Sequence, residues 1–187
     1  MDRALVLISG QGGLGKTSLA SFLSDSNEQI EFTSVDGYLE PRDLRPKFSE
    51  GDLLVPYDQV LADLETFLSG GEIKLRRYDH AKGIPDTSDR MISHTTRILV
   101  VEGGLVGCEV NRNGVALSIL FRSELGEYIK HRSKVDQFRG HSDIGQSERI
   151  EQYTKAWKEH EHSLLQNADI VVLVDPEDSS TSMKRII

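Results

Sequence analysis

Short apolar runs alternate with helical patterns along this chain. Residues 4–9 (ALVLIS) are an almost unbroken apolar run that stops at a glycine, which predicts a strand buried on both faces. Residues 16–24 (KTSLASFLS) carry a helical pattern, 31–35 (EFTSV) suit a second strand, 97–101 (RILVV) a third and 115–121 (VALSILF) a fourth. After Pro56 the apolar residues Val60, Leu61, Leu64, Phe67 and Leu68 fall three and four apart, so one helix face is apolar. Proline at its start and Gly70-Gly71 beyond its end bound that helix. Charged helices are predicted over 123–138 and 147–167, the second carrying Ile150, Trp157 and Leu164, and a fifth strand over 169–174 (DIVVLV).

Strands separated by helices predict an α/β fold: a five-stranded parallel sheet with helices on both faces. Residues 73–96 break the pattern. They are polar, rich in turn residues, and hold two weakly alternating stretches, IKLRRY and RMISHT. They read as a small β-hairpin or flap over the sheet's carboxyl edge. The tail after Pro176 reads as loosely held. No repeat or linker divides residues 1–187, which read as one domain.

The first loop carries the clearest chemistry. Gly10-Gln11-Gly12-Gly13-Leu14-Gly15-Lys16-Thr17-Ser18 contains G-x-x-x-x-G-K-[ST], between a strand and a helix as that motif requires. Its amides and the N-terminus of the following helix form an anion nest. Lys16 adds a full charge at the β- and γ-phosphates of a nucleoside triphosphate, and the Thr17 hydroxyl can ligate Mg²⁺. ATP and Mg²⁺ are therefore the expected cofactors. A guanine-reading Asn-Lys-x-Asp is absent, and the strand at 98–101 ends in Glu102-Gly103-Gly104 rather than the Asp usual in transporter or helicase ATPases. Those two classes recede.

Two acids then stand out. Asp36 follows the second strand, at the sheet's carboxyl edge where ligands bind in open α/β sheets. It can accept a proton from, or orient, an attacking hydroxyl; as a turn carboxylate before Gly37 it would do neither. Glu102 ends an otherwise aliphatic strand, where a charge is costly unless it faces a site. It could hold Mg²⁺ directly or through water, polarise an acceptor, or be a surface-loop glutamate.

Composition narrows the partners. The net charge of −8, with no long basic run, argues against nucleic acid or an anionic membrane as a partner. No apolar stretch approaches the roughly 20 residues of a membrane span, and no signal-peptide pattern opens the sequence, so a cytoplasmic protein is expected. The single Cys108 excludes an internal disulfide or multi-cysteine metal site. It reads as a small residue near the site, with nothing marking it as a nucleophile. His160 and His162 lack the i, i+4 spacing of a helical metal pair and read as a half-exposed helix face.

The segments ISGQGGLGKTSLA, SVDGYLE, RRYDHAKG, ILVVEGGLV, RSKVDQFRG and NADIVV occur in the order and rough spacing of the uridine kinase and phosphoribulokinase family, which includes bacterial-type pantothenate kinases. The chain resembles that family from residue 4 to about 174. The resemblance implies a P-loop kinase fold with an acceptor flap at 73–96 and a lid at 122–146. It implies Asp36 as the group that orients the acceptor hydroxyl, with Lys16 and the lid's Arg139 completing the catalytic set. It implies acceptor contacts from Tyr38, Tyr78, Asp79, His80 and Arg132, and metal contacts from Thr17 and Glu102. Here His80 follows Asp79 at once and Lys82 soon after, and Lys134-Val135-Asp136 replaces the family's Arg-Asp pair, so the acceptor stays open. Arg42 and Arg45, just after Asp36, could meet an anionic substituent. The implied activity is phosphoryl transfer from ATP to a hydroxyl of a small-molecule acceptor, with a nucleoside such as uridine first and pantothenate or a sugar phosphate next. A catalytically degenerate nucleotide-binding regulator is the alternative of a different class. Uridine kinases commonly form tetramers, so homo-oligomerisation is open.

Overall fold

A computed structural model describes residues 3–46, 54–86, 88, 90–138, 146–175 and 181–185. The apolar run after Arg3 forms β1 (Ala4–Gly10), and the glycine loop leads into α1 (Lys16–Ser26). β2 (Ile30–Ser34) ends in a 3₁₀ turn over Val35–Tyr38. α2 (Tyr57–Leu68) starts directly after Pro56, as its spacing predicts. The flap contributes β3 (Tyr78–Asp79) and β4 (Ile84–Pro85), an antiparallel pair. There follow β5 (Ile98–Glu102), the one-turn helix α3 (Val106–Glu109) and β6 (Val115–Arg122). α4 (Leu125–Phe138), α5 (Gln146–Asn167), β7 (Ile170–Val174) and β8 (Thr181–Arg185) complete the order.

The main sheet runs β2-β5-β1-β6-β7-β8. Its first five strands are the five expected, and all pair in parallel. β8 is a correction. Residues 181–185 of the tail pair antiparallel with β7, Val171 opposite Lys184 and Val174 opposite Thr181. Five parallel strands leave the unpaired N–H and C=O groups of β7 at an edge, and a returning tail is one way to occupy them.

The two faces of the sheet carry two cores, sorted by the period-two alternation of strand side chains. Leu5 and Leu7 of β1, with Leu99 and Val101 of β5, pack with Val60, Leu64 and Phe67 of α2. Ile8, Phe32 and Val100 face the other way, onto Ala20 of α1 and Trp157 and Leu164 of α5. Burying each such large side chain stabilises the fold by about 1.5–3 kcal/mol. Because β1, β2 and β5 are adjacent and parallel, the loops leaving them share one edge, and that edge holds the site. No helix among the described residues is long and apolar enough to cross a membrane.

Candidate active site

At the end of β1 the chain turns into α1 through Gly15, whose φ of 93° lies in the left-handed region. A residue with a Cβ would be strained there. Lys16 opens α1 and is only 8% exposed. Its Nζ donates to the Gln11 carbonyl at 3.0 Å, so the ammonium folds back across the loop. The loop is also anchored from outside. The buried Gln11 side chain accepts a hydrogen bond from the Ser123 amide at 2.6 Å, joining residues 112 apart in sequence.

Glu102 ends β5 between Ile8 of β1 and Ser34 of β2, in register with both. It is 4% exposed. Burial pushes its carboxyl above the ordinary carboxylate range; the Lys16 ammonium pulls it back, the Asp36 charge pushes it up, and the nearby Ser34 and Thr17 hydroxyls pull it down. Those influences place Lys16, Thr17, Ser34 and Asp36 around one carboxylate. Gly103 lets this happen: a Cβ there would be driven into Val35, so the turns after β2 and β5 lie against each other.

Asp36 sits in the 3₁₀ turn after β2, with His80 Nε2 of the flap 3.6 Å from its Oδ2. The flap is fastened to this corner by backbone contacts. Ser34 donates to the Arg76 carbonyl at 2.8 Å, and Gly37 has no room for a Cβ beside the Arg76-Arg77 peptide. Arg42 donates to the His80 carbonyl at 2.7 Å and so holds the flap tip. The Tyr78 and His80 rings meet edge to face at 5.1 Å, and the Arg45 guanidinium lies 4.9 Å from the Tyr78 ring centroid.

The remaining candidates separate. The Tyr38 hydroxyl donates to Asp63 Oδ2 of α2 at 2.7 Å, and the ring lies under the Arg76 guanidinium. Burial, then the Asp63 contact, raises this phenol well above its ordinary pKa. Tyr38 therefore ties the turn to α2. Asp79 Oδ1 accepts from the Ala81 and Lys82 amides, each at 3.0 Å, with Lys82 Nζ 3.2 Å from Oδ2, so its carboxylate closes the hairpin turn. Arg132 of α4 lies over the glycine loop: a Cβ on Gly12 would stand 2.5 Å from its Nη1. Arg139 lies outside the described residues, as do the following residues up to 145.

His131, which belongs to none of the sequence motifs, also reaches the loop. Its Nε2 lies 3.2 Å from the Gly13 carbonyl oxygen, and Val135 also approaches Gly13. With the buried Tyr128 and with Arg132, these residues occupy positions i, i+3, i+4 and i+7 of α4, the spacing of a single helix face. That face rests on the loop. The spacing was visible in the sequence; what it packs against was not.

The loop and its surroundings fit a nucleoside triphosphate with its metal. Gly15 has open space where a Cβ would stand, Lys16 is buried beside it, and the Thr17 hydroxyl and Glu102 carboxylate are the hard oxygen donors that Mg²⁺ prefers. A bound Mg²⁺ would supply charge neutralisation at the phosphates.

No family model and no curated protein matches the chain. Solved structures do match. Phosphoribulokinase from Rhodobacter spheroides superposes with a TM-score of 0.67 at 14% identity, over 92% of this chain and 70% of that one. D-glycerate 3-kinase from Cryptococcus neoformans var. grubii gives 0.64 at 12% identity, over 99% and 90%. A protein described as a possible uridine kinase from Bacillus stearothermophilus gives 0.59 at 17% identity, over 91% and 89%. The chain thus has the fold of the P-loop kinases of the uridine kinase and phosphoribulokinase kind, as its motifs suggest.

Proposed function

We propose that this protein is an ATP-dependent kinase that transfers the γ-phosphate to a hydroxyl of a small metabolite. The observation that carries this reading is the convergence of two acids, Asp36 and Glu102, with Lys16 and Thr17 at the mouth of the glycine loop. Lys16 and the loop amides hold the phosphates, and Thr17 and Glu102 hold the Mg²⁺. Asp36 orients the acceptor hydroxyl and accepts its proton, with His80 of the flap fixing the carboxylate from the other side. Arg132 closes over the phosphates and stabilises charge that develops there during transfer.

A nucleoside such as uridine is the acceptor suggested by the family resemblance. One observation favours an acidic acceptor instead, such as a phosphorylated or carboxylated polyol. The Arg45 Nη2 and the Tyr78 hydroxyl lie near one another, both buried and without a well-formed hydrogen bond among the described residues. They sit beside Asp36 and His80, and buried donors of this kind are satisfied in native proteins. An anionic group on the acceptor would satisfy both. The test is to incubate the protein with ATP, Mg²⁺ and a panel of nucleosides, sugar phosphates, hydroxy acids and pantothenate, and to read ADP release and product mass. Phosphorylation of an acidic compound, with KM raised by Arg45→Ala, supports this acceptor class. Phosphorylation of uridine, insensitive to Arg45, restores the nucleoside. Tight ATP binding with no acceptor phosphorylated points to a nucleotide-binding regulator.

A further inference from the structure

Away from the glycine loop, α3 and α5 meet at a second group of reactive side chains. Cys108 and Glu109 close α3, and His160 belongs to α5. The Cys108 Sγ is 4.0 Å from His160 Nδ1. The sulfur, a ring nitrogen and a Glu109 carboxylate oxygen all lie within 4.8 Å of one another. Cys108 and His160 are half-buried and Glu109 is exposed, so the centre of the group opens to solvent on one side. The backbone beneath is fixed. A Cβ on Gly107 would meet Ser9 Oγ at 2.5 Å and Leu164 of α5 at 3.3 Å, so α3 lies tight between β1 and α5. None of the three takes part in the phosphoryl-transfer site described above.

We propose that Cys108, Glu109 and His160 form a binding site for a thiophilic divalent cation of the zinc type, distinct from the Mg²⁺ position. One thiolate, one imidazole and one carboxylate make a mixed S, N and O set that suits a borderline-soft ion and disfavours Mg²⁺. Around a tetrahedral ion the ligand atoms stand about 3.5 Å apart. The observed separations, 4.0 Å from sulfur to ring nitrogen and within 4.8 Å for the whole set, lie a little outside that spacing, and water would complete the coordination from the open side. On binding, the thiol releases its proton to solvent as the sulfur–metal bond forms, and His160 donates the lone pair of its neutral ring. α3 follows Glu102-Gly103-Gly104 after one residue, Leu105, so the ion would staple the segment behind Glu102 to α5.

The experiment is a cobalt(II) titration of the reduced, metal-free full chain, followed by the near-ultraviolet thiolate-to-cobalt absorption. The chain has one cysteine, so that band reports this thiol alone. The band should saturate at one equivalent, disappear on adding zinc, resist excess magnesium, and be accompanied by a zinc-dependent rise in Tm. Cys108→Ser should abolish it, and His160→Ala and Glu109→Gln should each weaken cobalt binding by about tenfold or more. Lys16→Ala should leave it unchanged while removing ATP binding, which separates this site from the kinase reading. Absence of the band, or a band whose affinity is the same in His160→Ala and Glu109→Gln, overturns the proposal.

Discussion

A carboxylate at 4% exposure, as Glu102 is, carries a desolvation cost of several kcal/mol unless charge and hydrogen bonds offset it. Here Lys16 supplies the opposing charge, while the neighbouring Ser34 and Thr17 hydroxyls add a smaller polar influence. The residues that would bind phosphate and metal therefore also oppose the upward push that burial gives this carboxyl. Lys16→Ala should lower unfolding free energy by about 1–3 kcal/mol, because a buried charge loses its partner. Glu102→Gln keeps the shape and removes the charge, and should leave stability within about 1 kcal/mol of the parent or above it. The double variant should then recover much of the stability lost in Lys16→Ala without recovering phosphoryl transfer. Urea denaturation of the four proteins measures this coupling. Strict additivity would mean that Glu102 does not depend on Lys16. The sequence showed both residues and their charges; it did not show that they oppose each other, because Lys16 opens α1 and Glu102 ends β5, and the two meet only because β1 and β5 pair in register.

At the scale of elements, the alternating apolar runs located β1, β2, β5, β6 and β7 within a residue or two, because strands buried on both faces read as continuous apolar stretches. β8 was missed. Residues 181–185 (TSMKR) have no such signature, and their pairing follows from the open edge of β7 rather than from their own composition. The segment NADIVV gains a physical role at the junction of α5 and β7. Asp169 Oδ2 accepts from the Ser118 amide at 2.7 Å, its Oδ1 from Arg112 Nη2 at 2.8 Å, and its own amide donates to the Ser118 carbonyl. The side chain thereby clamps β6 to the start of β7. The Arg112 contact and the Ser118 amide hold this carboxyl below the usual range against a smaller effect of burial. A folded-state pKa below the unfolded one means the contribution is complete above pH of about 4 and is lost as pH falls through the depressed value. Asp169→Ala should cost about 1–2 kcal/mol at neutral pH, reduced by the partial exposure of the pair. Its deficit relative to the parent should shrink on acidification below pH of about 4, read by thermal melts across a pH series. A deficit that stays constant down to pH 2 would assign the loss to packing instead.

At the scale of the molecule, function follows from alignment. Three parallel strands deliver the glycine loop, Asp36 and Glu102 to one edge, and a flap and a helix from distant sequence cover them. The first part was legible, because a residue just after a strand in a parallel sheet has a known edge. The second was legible only as composition. Tyr38 and Asp79 proved to be fastened to α2 and to the hairpin turn, His131 went unnoticed, and the Gln11–Ser123 bond spans 112 residues. On the proposed function, the same arrangement would make nucleotide binding a property of the whole fold, since the loop is held through Ser123, just after β6, and covered by α4. A ligand that binds only the folded chain stabilises it by RT ln(1 + [L]/Kd), about 2.7 kcal/mol at a hundred times Kd. For a domain of this size that raises Tm by about 5–10 °C. MgATP should produce such a shift, ATP with EDTA a smaller one, and Lys16→Ala none. Arg132→Ala should retain most of the MgATP shift and lose turnover by about a hundredfold or more, because its contact with transferring charge is made in the transition state. Differential scanning fluorimetry beside a coupled ADP assay reads both quantities. If Arg132→Ala abolished the shift with turnover unmeasurable, α4 would be a ground-state nucleotide clamp. A parent protein with no MgATP shift would remove the basis for a kinase altogether.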